Sequence, residues 1–155
     1  MPSIKIEIDG MERFHRSVNS LADQIVNPPG KLMRRLGETA IEDIDKRFMT
    51  AGYGTWPPLA PSTVAKKHGN SFILIDTGAM FQSTRISGTE KDAVEVDVPY
   101  GGAKHNPKVP GYHQHGTGRT PQRKIIDVTP QLESALTDSL ETWVIDMAKA
   151  FGKGM

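Results

Sequence analysis

Cysteine is absent from this chain. That excludes a disulfide framework and any thiolate metal centre, and nothing in the composition calls for an oxidising compartment. Long apolar runs are absent too. No stretch approaches the roughly 20 apolar residues of a membrane span, and the opening Met1-Pro2-Ser3-Ile4-Lys5-Ile6 lacks the apolar core of a signal peptide. The expectation is a soluble protein, made inside the cell, with no membrane partner. Apolar material of every kind is scarce: hydrophobic residues make up 37% and aromatics 6%, with a mean hydropathy of −0.42. The 155 residues suffice for one domain with one real core. So little apolar material leaves much of that domain exposed, unless neighbouring subunits complete the core. An excess of either charge is missing as well. The 19 basic and 18 acidic residues give a formal net charge of +1, which argues against a general nucleic-acid-binding protein.

Clear periodicity is present on both sides of a long irregular middle. Ile4, Ile6 and Ile8 alternate with Lys5, Glu7 and Asp9, the pattern of a half-buried strand that Gly10 ends. Over 11–26, Phe14, Val18, Leu21, Ala22 and Ile25 fall at helical spacing, and Asn27-Pro28-Pro29-Gly30 stops that helix. A longer helix is expected over about 31–49. Its core stripe is Met33, Leu36, Ala40, Ile41, Ile44 and Phe48, and Arg34, Arg35, Glu38, Glu42, Asp43 and Lys46 take the solvent side. Ala51-Gly52-Tyr53-Gly54 offers glycines for a left-handed cap. Ser62 or Thr63 is placed to cap a short helix over 64–67, and Thr77 to open a turn through Ala79, Met80 and Phe81. Residues 84–87 and 93–98 read as a hairpin with its turn at 88–92, placing Val94, Val96 and Val98 on one face. Ile125-Ile126-Asp127-Val128 reads as a short return strand. Thr129-Pro130 then starts a last helix, with Leu132, Leu136, Leu140, Trp143, Val144 and Met147 as its apolar face, ending near Gly152. The sum is a single α+β domain: a small antiparallel sheet with a long central helix, an N-terminal helix and a C-terminal helix packed on one face.

The connections are unusual in using Trp, several prolines and paired glycines, which suits loops that do something. A metal site is the first reading. His113 and His115 would face one side of a strand, joined by His68 or His105, but there is no Cys and no H-E-x-x-H helix, so no metal or other cofactor is expected. Catalysis is the second, as a hydrolase with Asp76 as base and His113 or His115 as partner. No nucleophile elbow, phosphate loop or dinucleotide fingerprint accompanies them, so no catalytic residue is assigned. The simpler reading lets Asp76 or Thr77 cap the next turn while Gly78 allows close packing. The third reading is electrostatic. Between Asp97 and Asp127 no acidic residue occurs, while Lys104, Lys108, Arg119, Arg123 and Lys124 do. This basic, Gly/Pro-rich loop at about 99–124 is either solvated surface or a contact with an acidic partner or with passing DNA. Arg123 is the residue best suited to a buried or interfacial salt bridge, because its planar fork favours such sites. Trp56 plugs the core or anchors an interface, and the clamp of Pro57-Pro58-Leu59 favours the core.

Six of these pieces, in this order, resemble the phage virion morphogenesis family, which includes the tail-completion proteins of Mu-like phages. They are Phe48 with Gly54; Trp56-Pro57-Pro58-Leu59-Ala60-Pro61-Ser62-Thr63; Leu74-Ile75-Asp76-Thr77-Gly78-Ala79-Met80-Phe81-Gln82-Ser83; the hairpin; Tyr112-His113-Gln114-His115-Gly116; and Pro121-Gln122-Arg123 before a last helix. The resemblance spans about 47–128, and the insertion at 104–111 departs from it. It carries over no catalytic residue. It implies a structural role at the neck or upper tail, completing the tail and joining it to the DNA-filled head. The partners it implies are other copies in a ring, six-fold to match the tail, and neighbouring neck, tail-terminator or tail-tube proteins, with incidental contact to DNA in the channel. The location would be the virion, after synthesis in the host bacterial cytoplasm. A transient assembly factor and a DNA-contacting module remain as alternatives. Arg85, Lys104, Lys108, His113, His115, Arg119, Arg123 and Lys124 are the expected interface residues. Trp56, Pro57, Leu59, Thr77, Gly78, Gly116 and Pro121 are the expected loop anchors.

Overall fold

A computed structural model describes residues 11–100, 106 and 108–153 of the chain. The strand expected at 4–8, together with Lys104 and His105, lies outside the described residues. Helix α1 (Met11–Val26) and helix α2 (Gly30–Met49) are separated by the two prolines that the sequence places there. Pro29 is the extended N-cap of α2, and its carbonyl accepts the Leu32 amide at 2.8 Å. Leu32, Met33, Ile44 and Phe48 are buried along α2, as a helical stripe requires.

The solvent face of α2 needs a correction. Asp43, expected outside, is 5% exposed, and Arg47 beside it is 3% exposed. Burial is tolerable because each charge is answered. Arg47 Nε donates to Asp43 Oδ2 at 2.8 Å, and the Tyr53 hydroxyl donates to Oδ1 at 2.7 Å. The other arm of Arg47 reaches the Asp127 carbonyl at 2.7 Å and Thr129 Oγ1 at 3.2 Å. The pair thus ties the end of α2 to the chain entering the last helix.

Beyond α2 the backbone makes a left-handed turn: φ is 54° at Ala51, 65° at Gly52, 55° at Tyr53 and 79° at Gly54. The Gly52 amide bonds the Arg47 carbonyl at 2.7 Å, the long-range bond of a Schellman cap. The Trp56 amide bonds the Ala51 carbonyl at 3.0 Å, which swings the indole back under the helix. Trp56 joins Ile44, Phe48, Ile73, Met80, Val98 and Ile125 in the core. Phe48 lies edge-on to Trp56 at 5.9 Å and to Phe81 at 5.6 Å between ring centres, favourable geometry for aromatic pairs.

Helix α3 (Pro61–Lys66) begins three residues before the expected span, with Ala60 as its cap and no side-chain capping bond. Ser62 and Thr63 therefore sit inside it; Pro61 starts it because the first helical turn needs no amide donor there. A single 3-10 turn (Phe81–Ser83) leads into strand β1 (Arg85–Thr89), which pairs antiparallel with β2 (Val94–Asp97). The first strand runs two residues further than expected, since Gly88 pairs with Glu95 and Thr89 with Val94, while the second, expected at 93–98, spans only 94–97. The turn is accordingly 90–93, closed by Glu90 N to Ala93 O at 2.8 Å, and a bulge lies between Ile86 and Gly88. A two-stranded ribbon is marginal alone; this one is laid on α2 at Gly37. A Cβ at Gly37 would stand 2.8 Å from Ile86 Cδ1 and Val94 Cγ2.

Two further expectations fail. The irregular middle holds a helix, α4 (Val109–His115), and 125–128 is not a strand. Helix α5 (Pro130–Lys153) packs on α2, with Thr39 Oγ1 and Ser139 Oγ hydrogen-bonded at 3.1 Å. Its apolar face is only partly covered: Leu140, Val144 and Ile145 are 41–51% exposed. The architecture is α+β, and among the described residues no helix is long and apolar enough to cross a membrane.

Candidate functional site

The loops converge because Arg123 holds them. Its side chain is 5% exposed. Nε and Nη2 donate to the Pro57 carbonyl at 3.1 and 3.0 Å, and Nη2 also to the Pro58 carbonyl at 3.2 Å. Expected in a salt bridge, the guanidinium instead clamps two carbonyls from 65 and 66 residues away. A planar fork with several donors suits that task. Burial lowers the Arg123 pKa, and the group stays charged at neutral pH. The next carbonyl, that of Lys124, accepts Trp56 Nε1 at 3.2 Å.

Gln114 secures the other side of the same stretch, and the sequence reading gave it no role. Its Oε1 accepts the amides of Ile125 at 2.9 Å and Ile126 at 3.1 Å, and its Nε2 donates to the Ile126 carbonyl. One side chain here does the pairing that a neighbouring strand would do, at a point where the chain bends at 125–126. The Arg123 amide donates to the His113 carbonyl at 2.7 Å. Gly116 ends α4 at φ +74°, where a Cβ would lie 3.2 Å from the Gln122 nitrogen.

The second wall is the turn at 76–80. Thr77 rather than Asp76 caps it, Oγ1 accepting the Ala79 amide at 3.4 Å. Gly78 is needed for its φ of +81°, not for close packing, since a Cβ would meet Gln82 Nε2 at an ordinary 3.5 Å. Lys67 was not singled out by the sequence and carries no local signature. Its ammonium donates to the carbonyls of Phe72 at 2.6 Å and Ile75 at 2.5 Å, pinning the loop between α3 and this turn.

Between the walls is a cavity of about 740 Å³. Leu59, Leu74, Met80 and Val109 give its apolar lining, and Lys67, Asp76, His113, Arg119 and Arg123 its ionisable one. Thr77, Gly78 and Pro121 also line it. His113 Nδ1 is buried and makes no hydrogen bond among the described residues. Burial, and then the nearby Arg123 charge, lower the His113 pKa below its usual value of 6.5. The ring is therefore neutral at pH 7.

Of the expected interface residues, the structure brings His113, Arg119 and Arg123 to this cavity. His113 and Arg123 are engaged within the chain, whereas Arg119 is exposed. Lys108 and His115 are exposed at the two ends of α4, and Lys124 pairs with Asp127 at 3.6 Å. Arg85 pairs across the hairpin with Asp97 at 3.4 Å, an exposed contact worth about 0–1 kcal/mol.

As chemistry, the two histidines do not cooperate. They lie two residues apart on a helix, where side chains diverge, instead of on a strand, where they align. Among the described residues no group of three His, Asp or Glu side chains could hold a metal ion. Asp76 shares the cavity with His113, but the unpartnered Nδ1 has no carboxylate to orient it, as a catalytic base requires. The arrangement is mechanical: one guanidinium and one ammonium hold main-chain carbonyls, and one glutamine amide holds two main-chain amides and a carbonyl. Compared with protein-family models, with curated proteins and with solved structures, the chain matches none.

Proposed function

We propose that this chain is a structural protein of a tailed phage, placed at the neck or upper tail. There it completes the tail and joins it to the DNA-filled head, as one subunit of a homo-oligomeric ring. The observation that carries this reading is the convergence of the motif-bearing loops. The pieces at 56–63, 74–83, 112–116 and 121–123, which resemble the phage virion morphogenesis family, meet around one cavity and are fastened by Arg123 and Gln114. Side chains far apart in sequence thus hold these loops in shape, which suits a protein whose loops must meet neighbours.

Two uncovered apolar faces support the subunit contacts. Val18, Ile25 and Val26 of α1 are 39%, 59% and 70% exposed, and Leu140, Val144 and Ile145 of α5 are similarly open. Clusters of this kind mark interaction surfaces. Two unlike faces on one chain suit a heterologous contact, which closes into a ring when the rotation allows. Lys108, Arg119 and Lys124 are exposed cations suited to incidental contact with DNA in a channel. Catalysis has no place in the reading, and the virion is the proposed location.

The test is genetic and visual. In a phage carrying this gene, inactivating it is expected to leave filled heads and finished tails unjoined, with joining restored when the intact chain is supplied in trans. Joined, infectious particles formed without the chain would contradict the reading. Mass spectrometry of purified particles separates a resident subunit from a transient assembly factor.

A further inference from the structure

We propose that the loop-lined cavity is a docking site for an extended, acidic segment of a partner protein chain. The proposal rests on the structural role above and names the chemistry of the partner. A volume of about 740 Å³ falls within the roughly 300–1,000 Å³ of formed ligand sites. One wall is already extended. Ala60 has φ −61° and ψ 145° and stands between prolines 58 and 61. The Pro58 carbonyl is taken by Arg123, while the amides of Leu59 and Ala60 make no hydrogen bond among the described residues. Peptides that dock in extended form satisfy such main-chain groups and seat alternate side chains in pockets. Leu59, Leu74, Met80 and Val109 offer the apolar seat.

Charge selects the sign of the partner. Among the described residues, Lys67, Arg119 and Arg123 line the cavity against a single carboxylate, Asp76. Lys67 and Arg123 direct their hydrogen bonds to carbonyl oxygens, which satisfy the donors without cancelling the charge. The His113 pKa is depressed first by burial and only second by the charge of Arg123, which faces the same cavity. A carboxylate beside the exposed Arg119 would complement it. A nucleic acid is the poorer fit. It needs a continuous basic track and a platform of stacking rings, and among the described lining residues Tyr100 is the one Phe, Tyr or Trp.

The experiment selects from a displayed library of random decapeptides on the intact chain. The winning peptide is then mapped by NMR on isotope-labelled protein. Enrichment of Asp and Glu alternating with apolar residues is expected, with saturable shifts at Leu59, Ala60, Gly78, His113 and Arg119. Arg119→Glu is expected to weaken binding about tenfold with an unchanged melting temperature, and oligothymidylate is expected not to displace the peptide. Any of four results would overturn the proposal: no enrichment, enrichment of Lys and Arg, shifts confined to α1 or α5, or displacement by oligothymidylate. Shifts at these same cavity residues on concentrating the chain alone, without peptide, would assign the cavity to self-association instead and equally overturn it. A failed selection would leave the unjoined-particle phenotype untouched, and a peptide site in a chain absent from the neck would leave this proposal standing, so the two readings fail separately.

Discussion

Replacing Gly52 with alanine loads the turn after α2 in two separate ways. The first is conformational. Gly52 has φ +65° within four consecutive left-handed residues, and an L side chain in that region costs about 1–2 kcal/mol. The second is steric. A Cβ would stand 2.3 Å from Trp56 Nε1 and 2.4 Å from Cδ1. The indole cannot retreat freely, because Nε1 bonds the Lys124 carbonyl and the ring lies edge-on to Phe48. Overpacking of this kind costs about 1–3 kcal/mol. The sum is about 2–5 kcal/mol, or a fall in Tm of about 4–20 °C for a domain of this size. Gly54→Ala is the control. Its φ is +79°, but nothing lies within 4 Å of the added Cβ, so it carries only the conformational cost of about 1–2 kcal/mol. Both variants are followed by thermal and urea denaturation, with tryptophan emission as a second probe. Gly52→Ala is expected to lose clearly more stability and to red-shift the emission as Trp56 leaves its seat. Equal losses in the two variants, with emission unchanged, would refute the reasoning.

Arg123→Met removes the donors from two loop carbonyls and should cost about 3 kcal/mol in urea denaturation. Arg123→Lys should recover less than half of that, because an ammonium cannot reproduce the fork. Asp43→Leu and Arg47→Met should each cost about 3–5 kcal/mol by stranding the buried partner, while the double variant costs less than the sum. A double-mutant cycle reads that difference directly. His113 sets a pH dependence. Its folded pKa lies below the ordinary 6.5, so below about that pH the unfolded chain binds a proton that the folded chain resists. The contribution is therefore present above pH 6.5 and lost as pH falls through the folded value. His113→Gln should flatten the urea midpoint between about pH 7.5 and about pH 5 relative to the parent chain.

What could be read from the sequence follows from the range over which each signal acts. The span 11–26, the α2 helix, the hairpin and the start at Thr129-Pro130 were all legible, because apolar period and caps are local. Helix α4 was hidden, since seven residues containing Pro110 and Gly111 show no apolar period. The pair Ile125-Ile126 imitates a strand, but the chain bends there and the Gln114 side chain takes its main-chain groups. The site was half legible. Its segments could be named in order, and Arg123 was marked as buried or interfacial, but its partners lie across the fold, where no spacing rule reaches. Asp43 was assigned outward because a carboxylate on a helix is normally solvated. Burial became tolerable only once Arg47 and Tyr53 met it. Of the six residues of α5 that looked like core, Leu140 and Val144 are open, and that openness is what a neighbouring subunit would cover.

A side-chain-resolution image of the particle of a phage that carries this gene tests the proposed structural role most directly. The account predicts density for this chain as a closed ring at the junction of head and tail, with the exposed faces of α1 and α5 buried between adjacent copies. A junction built without this chain, or this chain found there with both faces still open to solvent, would contradict it.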